Sequence, residues 1–105
     1  MSNTALIREA RLKASGADIH DVNGLIWAYE EACNLLARPR LRRGMRRDGL
    51  GWDDAAMLRW ASAWREKCEM YLHAYVGGTP MRELAWVLDE RRLRPARGAL
   101  RHLFV

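Results

Sequence analysis

The residues that could bind a metal or act as nucleophiles are few and widely separated along the chain. There are three histidines and two cysteines, at His20, Cys33, Cys68, His73 and His102. The cysteines have no CxxC spacing, and both fall inside apolar stripes of helical periodicity. This pattern predicts buried free thiols rather than a disulfide or a zinc site.

Two groups of polar residues have the composition of a fragment of a metal site. Asp18, His20 and Asp21 lie at the predicted start of a helix, where carboxylates commonly act as N-terminal caps. Glu69 and His73 lie four residues apart on a predicted helix, which favours an exposed side-chain pair. Neither group has a further ligand at metal-binding spacing, and no glycine-rich phosphate loop is present. We therefore expect no catalytic residues, no metal and no cofactor.

Arginine is the most distinctive residue type in this chain. Two stretches hold 11 of the 18 basic residues, and neither stretch contains an acidic residue. The rest of the chain carries 7 basic against 13 acidic residues. Two positive segments on an acidic body indicate contact with an anionic partner, and arginine favours planar contacts with carboxylate or phosphate. Arginine enrichment from a GC-rich genome is the alternative explanation.

The two arginine-rich stretches are residues 38–47 and 91–101. The first contains Arg38, Arg40, Arg42, Arg43, Arg46 and Arg47. The second contains Arg91, Arg92, Arg94, Arg97 and Arg101.

The apolar periodicity predicts helices and almost no strand. We expect residues 1–105 to form a single domain, an all-α compact bundle of four to five helices. The predicted helices cover about residues 3–15, a second from Asp18 or Asp21 to Pro39, then 53–76, 79–92, and a short helix from Pro95. The helix at 53–76 is the long central one, capped by acidic residues and ended by Gly77-Gly78. Residues 38–47 are predicted to be a loop.

Five tryptophans suggest contact surfaces as well as core packing. Trp27 and Trp86 lie off the apolar stripes of their helices, so we predict that they face a partner together with the arginines of residues 38–47. The long helix has an unusually wide apolar arc. We predict that this arc forms a homodimer interface through Trp60, Trp64, Tyr71 and Tyr75. The alternative is that the tryptophans fold back onto the short helices and are core residues.

Nucleic-acid binding is the alternative function. Residues 79–103 resemble a helix-turn-helix, in which Leu84, Ala85 and Leu88 fit the first helix and residues 97–101 could enter a groove. Arginines of both stretches would then bind phosphates of the nucleic acid. The charged run at residues 89–95 is longer than the turn of that motif, and Asp89 and Glu90 would repel phosphate. A membrane-surface role is disfavoured because the arginine stretch has few apolar anchors.

In length, in helical composition and in the lack of a catalytic motif, the chain resembles small all-helical bacterial antiactivators and phage-encoded inhibitors. Such proteins bind a transcription activator, for example a quorum-sensing receptor, and block its dimerisation or DNA contact. The resemblance implies a non-enzymatic regulator that binds a larger protein. With no signal peptide or membrane span in the sequence, we expect a cytoplasmic protein.

Overall fold

The computed structural model describes residues 3–45 and 53–84, and every regular element within them is an α-helix. The helices are α1 (Thr4–Lys13), α2 (Asp18–Ala37), α3 (Pro39–Met45), α4 (Asp54–Val76) and α5 (Met81–Leu84). The prediction of an all-α bundle with one long helix near 53–76 is confirmed.

Local side chains and glycines set the helix ends. The Asn3 side chain accepts a hydrogen bond from the Leu6 N–H, and the Asp53 side chain accepts one from the Ala56 N–H at 2.7 Å. Each satisfies a backbone donor that the first turn of a helix leaves without a partner. After α4, Gly78 has a positive φ, a conformation that favours glycine. The predicted ends of α1 and α4 are therefore confirmed to within two residues.

The start of α2 differs from the prediction of a carboxylate cap. Asp18 is the first helical residue, and no side chain caps the helix at the preceding Ala17. Instead, an Asp18 carboxylate oxygen accepts a hydrogen bond from the Tyr75 hydroxyl at 3.3 Å. The acidic residue thus joins α2 to the end of α4, while its charge still lies at the favourable end of the helix dipole.

The core lies mainly between α2 and α4, and α1 packs against both helices. Its largest fully buried side chains come from apolar positions of α2, α4 and α5 that recur at helical spacing. They are Tyr29, Tyr75, Leu25, Ile26, Leu35, Met57, Leu72, Met81, Val22 and Cys68.

Lys13 and Arg11 near the end of α1 make polar contacts with the rest of the bundle. The Lys13 ammonium donates to the Tyr75 carbonyl oxygen at 2.6 Å and lies 5.1 Å from the centre of the Tyr75 ring. A cation at this position complements the C-terminal end of α4. The exposed pair of Arg11 and Glu30, at 3.4 Å, joins α1 to α2.

The arginine segment forms a helix where the sequence analysis predicted a loop. Pro39 occupies the first helical position of α3, where its fixed φ suits a helix and its missing N–H costs no intrahelical hydrogen bond. Gly44 lies inside this helix rather than in a loop. The loop prediction was wrong for residues 39–45 because it gave weight to glycine and to charge, and neither prevents a short helix that packs on its neighbours.

The helix predicted at 79–92 begins in the structure as α5, whose first residue is Met81. The later part of the helix predicted at 79–92, and the short helix predicted from Pro95, lie outside the described residues.

Candidate functional site

Arg42 is the one arginine among residues 38–43 that points into the protein. Its side chain is buried, with the residue only 7% exposed. The guanidinium donates from Nη1 to the carbonyl oxygens of Leu35 at 2.6 Å and Leu36 at 3.1 Å, and from Nε to Asp54 at 2.7 Å. These carbonyls belong to the last turn of α2, which has no intrahelical donors for them. Arg42 therefore joins the end of α2 and the start of α4 to α3.

This placement corrects the prediction for Arg42. From the sequence, Arg42 was predicted to bind a partner together with its neighbours. A buried guanidinium with three internal acceptors is not available to a partner. No signal in the sequence distinguishes this structural role, because Arg42 stands among chemically identical residues.

Three other arginines line an open groove at the corner where α2 meets α3. Arg38, Arg40 and Arg43 are all exposed. The groove has a volume of about 670 Å³, and its apolar lining is provided by Ala37, Pro39 and Leu41. None of the described lining residues is acidic, so the groove is a local concentration of positive charge.

Trp27 lies on the same face of α2 as this groove. Its side chain is 38% exposed, as its position off the apolar stripe predicts. Trp27, Glu31, Asn34 and Arg38 follow one another at steps of four, three and four residues, which places them along one helix face. The distance along the helix from Trp27 to Arg38 is about 16 Å. Trp27 and Arg38, the first arginine of the groove, therefore lie on the same side of α2, and we call this side together with the groove the α2 outer surface.

A second groove, between α1 and α2, has a different chemical character. It has a volume of about 390 Å³ and includes Leu12, a strongly exposed apolar residue. The groove also contains the ion pair of Arg11 and Glu30, so its positive charge is partly neutralised. Its lining residues are Thr4, Ile7, Arg8, Arg11, Leu12 and Glu30.

The four aromatic residues predicted to form a dimer interface divide into two pairs. Trp64 is 6% exposed and Tyr75 is 2% exposed, and both belong to the core of the single chain. Their assignment to a dimer interface is corrected, because α1 and α2 already cover this part of the wide apolar arc of α4. Trp60 and Tyr71 are half-buried at the edge of the core. The Trp60 ring stacks on Trp64 with centroids 5.9 Å apart.

A hydrogen-bonded phenol lies between α2 and α4. The buried Tyr29 hydroxyl donates to Glu69 Oε1 at 2.8 Å and accepts from the Asn3 N–H at 3.1 Å. The pKa of Tyr29 is raised well above its usual value. Burial is the largest cause, and the hydrogen bond to Glu69 is the second. Glu69 is therefore a half-buried structural acceptor rather than one member of an exposed pair with His73.

The cysteines are both free, as predicted, but they differ in exposure. Cys68 is buried and Cys33 is half-buried. Burial raises the pKa of the Cys68 thiol to about 12, and the neighbouring Cys33 adds to this effect. Such a thiol is a poor nucleophile at neutral pH because almost none of it is ionised. Among residues 3–45 and 53–84, no group of three or more His, Cys, Asp or Glu side chains could hold a metal ion.

Three of the predicted partner-binding residues, Arg46, Arg47 and Trp86, lie outside the described residues. So does the whole second arginine stretch, residues 91–101. In the part of the chain that is described, no helix is both long and apolar enough to cross a membrane.

Comparison with known proteins does not assign the chain to a family. No protein-family model matches the sequence, and no curated protein or solved structure has significant similarity to it.

Proposed function

We propose that this protein is a non-enzymatic regulator that binds a larger bacterial protein in the cytoplasm and blocks one of its surfaces. A transcription activator is the target that we favour, in keeping with the resemblance to small helical antiactivators. The mechanism is steric occlusion. An aromatic anchor supplies binding energy, and arginines select an acidic region of the target and raise the rate of association.

The observation that carries the proposal is the α2 outer surface. It combines an exposed tryptophan with a groove lined by three exposed arginines, and Trp and Arg are the residue types most enriched among binding hot spots. Arg42 holds the α2–α3 corner in place from the inside. The exposed side chains are therefore presented by a fixed backbone, which lowers the ordering cost of binding.

A protein target is favoured over a nucleic acid by the charge of the rest of the chain. Outside the two arginine stretches, 13 acidic residues outnumber 7 basic ones. Among the described residues outside 38–45, 10 acidic residues outnumber 7 basic ones. A nucleic acid that extends from the groove over this part of the chain would meet its excess of negative charge, whereas a protein target can present an acidic region of matching size.

We also propose that the protein self-associates through the side of α4 that carries Trp60 and Tyr71. Trp60 and Tyr71 are half-buried there, next to the core. Sedimentation at several protein concentrations tests this proposal, and a strictly monomeric protein at tens of micromolar would contradict it.

The experiment for the proposed function is a tagged pull-down from bacterial lysate, with half of each sample treated with nuclease. Trp27→Ala is compared with Met70→Ala, which removes an exposed apolar side chain from α4, on a different helix. We expect the wild type and Met70→Ala to retain one protein in both halves, and Trp27→Ala to lose it. Retention of nucleic acid alone, lost on nuclease treatment, would contradict the proposal and favour the nucleic-acid alternative.

A further inference from the structure

We infer that the groove at the α2–α3 corner binds an acidic segment of a partner protein, in which carboxylates flank an apolar side chain. The inference deepens the proposed function and rests on it, because the groove is part of the α2 outer surface. It specifies the chemistry of the ligand: carboxylates pair with Arg38, Arg40 and Arg43, and the apolar side chain packs on Pro39 and Leu41.

The arginines of the groove have no internal carboxylate partner among the described residues. The two ion pairs of the described chain involve Arg11 with Glu30 and Arg42 with Asp54. The groove is thus surrounded by three guanidinium groups whose charge no described acidic group neutralises. A guanidinium binds a carboxylate through two parallel hydrogen bonds, so three such groups favour a ligand with several carboxylates.

The backbone fixes the relative positions of these arginines. Arg40 and Arg43 are three residues apart on α3, so their side chains leave the helix on the same side. Arg38 is the C-terminal cap of α2, immediately before the proline that begins α3. The internal hydrogen bonds of Arg42 hold the two helices at this corner.

The apolar part of the groove distinguishes a peptide from a phosphate ligand. Ala37, Pro39 and Leu41 line the groove together with the arginines, and an aliphatic side chain would bury area against them. A sugar-phosphate backbone offers no such group. The groove volume of about 670 Å³ is within the range of sites that hold small ligands, so it can accept a few side chains of a peptide.

The test is fluorescence anisotropy with the full chain and a fluorescein-labelled peptide of alternating glutamates around a central leucine. The Arg40→Ala/Arg43→Ala double variant is compared with Arg59→Ala/Arg82→Ala, which removes two exposed arginines outside the groove. We expect the groove variant to weaken binding by about tenfold or more, and the control variant by less than about threefold. A peptide with glutamines in place of the glutamates should not bind measurably, and one with serine in place of the leucine should bind more weakly.

Equal weakening by the two double variants would overturn the inference, because binding would then depend on overall charge. Tighter binding of a labelled DNA oligonucleotide at the same salt concentration, lost in the groove variant, would also overturn it in favour of a phosphate ligand. If the acidic peptide does not bind but the pull-down retains a protein through Trp27, the inference is wrong and the proposed function stands. If the wild type retains no protein, the proposed function fails as well.

Discussion

Arg42 Nε donates a hydrogen bond to Asp54 Oδ1 at 2.7 Å and so joins the arginine-rich helix α3 to the first turn of α4. Because the same guanidinium also binds two carbonyl oxygens of α2, one side chain holds three helices. The arginine segment is therefore divided by function. Arg42 maintains the fold, while Arg38, Arg40 and Arg43 remain exposed around the groove.

Replacement of Arg42 by alanine should destabilise the protein by about 2–3 kcal/mol. It would leave the buried Leu35 carbonyl without its side-chain donor, and Asp54 without its cation. Asp54 is partly exposed, so water would solvate its charge and limit the loss. Urea unfolding followed by circular dichroism measures the effect. Arg40→Ala is the matched control and should change the free energy of unfolding by less than about 0.5 kcal/mol.

Trp64→Ala should cost about 3–5 kcal/mol of stability, because it removes a large side chain from the core of the single chain. Trp27→Ala should cost about 1 kcal/mol, since that side chain is partly exposed. Thermal unfolding of both variants provides the comparison. Equal losses would contradict the assignment of Trp27 to a contact surface.

Stability should fall as the pH rises above about 9, and Cys68 should be one cause. Its thiol has a pKa of about 12 in the folded protein and 9.0 when unperturbed, so only the unfolded state releases this proton between those values. The unfolded state is thereby favoured by about 1.4 kcal/mol per pH unit in this window. Unfolding free energies of the wild type and Cys68→Ala across this range test the effect. Cys68→Ala should have the shallower slope, and identical slopes would exclude the thiol as a cause.

Tyr29→Phe should destabilise the protein by about 1–2 kcal/mol. It removes the donor to Glu69 and the acceptor of the Asn3 N–H. Tyr75→Phe is the matched control. It removes one longer hydrogen bond, to Asp18 at 3.3 Å, and should cost less because hydrogen bonds weaken with distance. Chemical denaturation of both variants measures the loss in free energy of unfolding. A larger loss for Tyr75→Phe than for Tyr29→Phe would contradict the role assigned to the Tyr29 hydroxyl.

The sequence was sufficient to predict the elements that depend on local signals. Asp53, Gly77 and Gly78 mark the ends of α4, and the apolar repeat between them determines its type. The orientation of Arg42 could not be predicted in this way. It depends on where the end of α2 and the start of α4 meet in space, and no local pattern separates it from Arg40 or Arg43.

The assignment of the aromatic residues of α4 failed for a related reason. The repeat that contains Trp64 and Tyr75 predicts that one face of the helix is buried, but not by what. In the structure, α1 and α2 of the same chain cover that face. The width of the apolar arc of α4 at Trp64 and Tyr75 is therefore explained without a second copy of the protein.

The most direct test separates the structural role of Arg42 from the partner-binding role of Arg40 and Arg43. It measures stability and partner retention together in Arg42→Ala and in Arg40→Ala/Arg43→Ala. We predict that Arg42→Ala lowers the free energy of unfolding. We predict that the double variant keeps it within about 0.5 kcal/mol of the wild type but loses the protein retained in a nuclease-treated pull-down. A double variant that unfolds as easily as Arg42→Ala, or that retains the partner fully, would contradict the account.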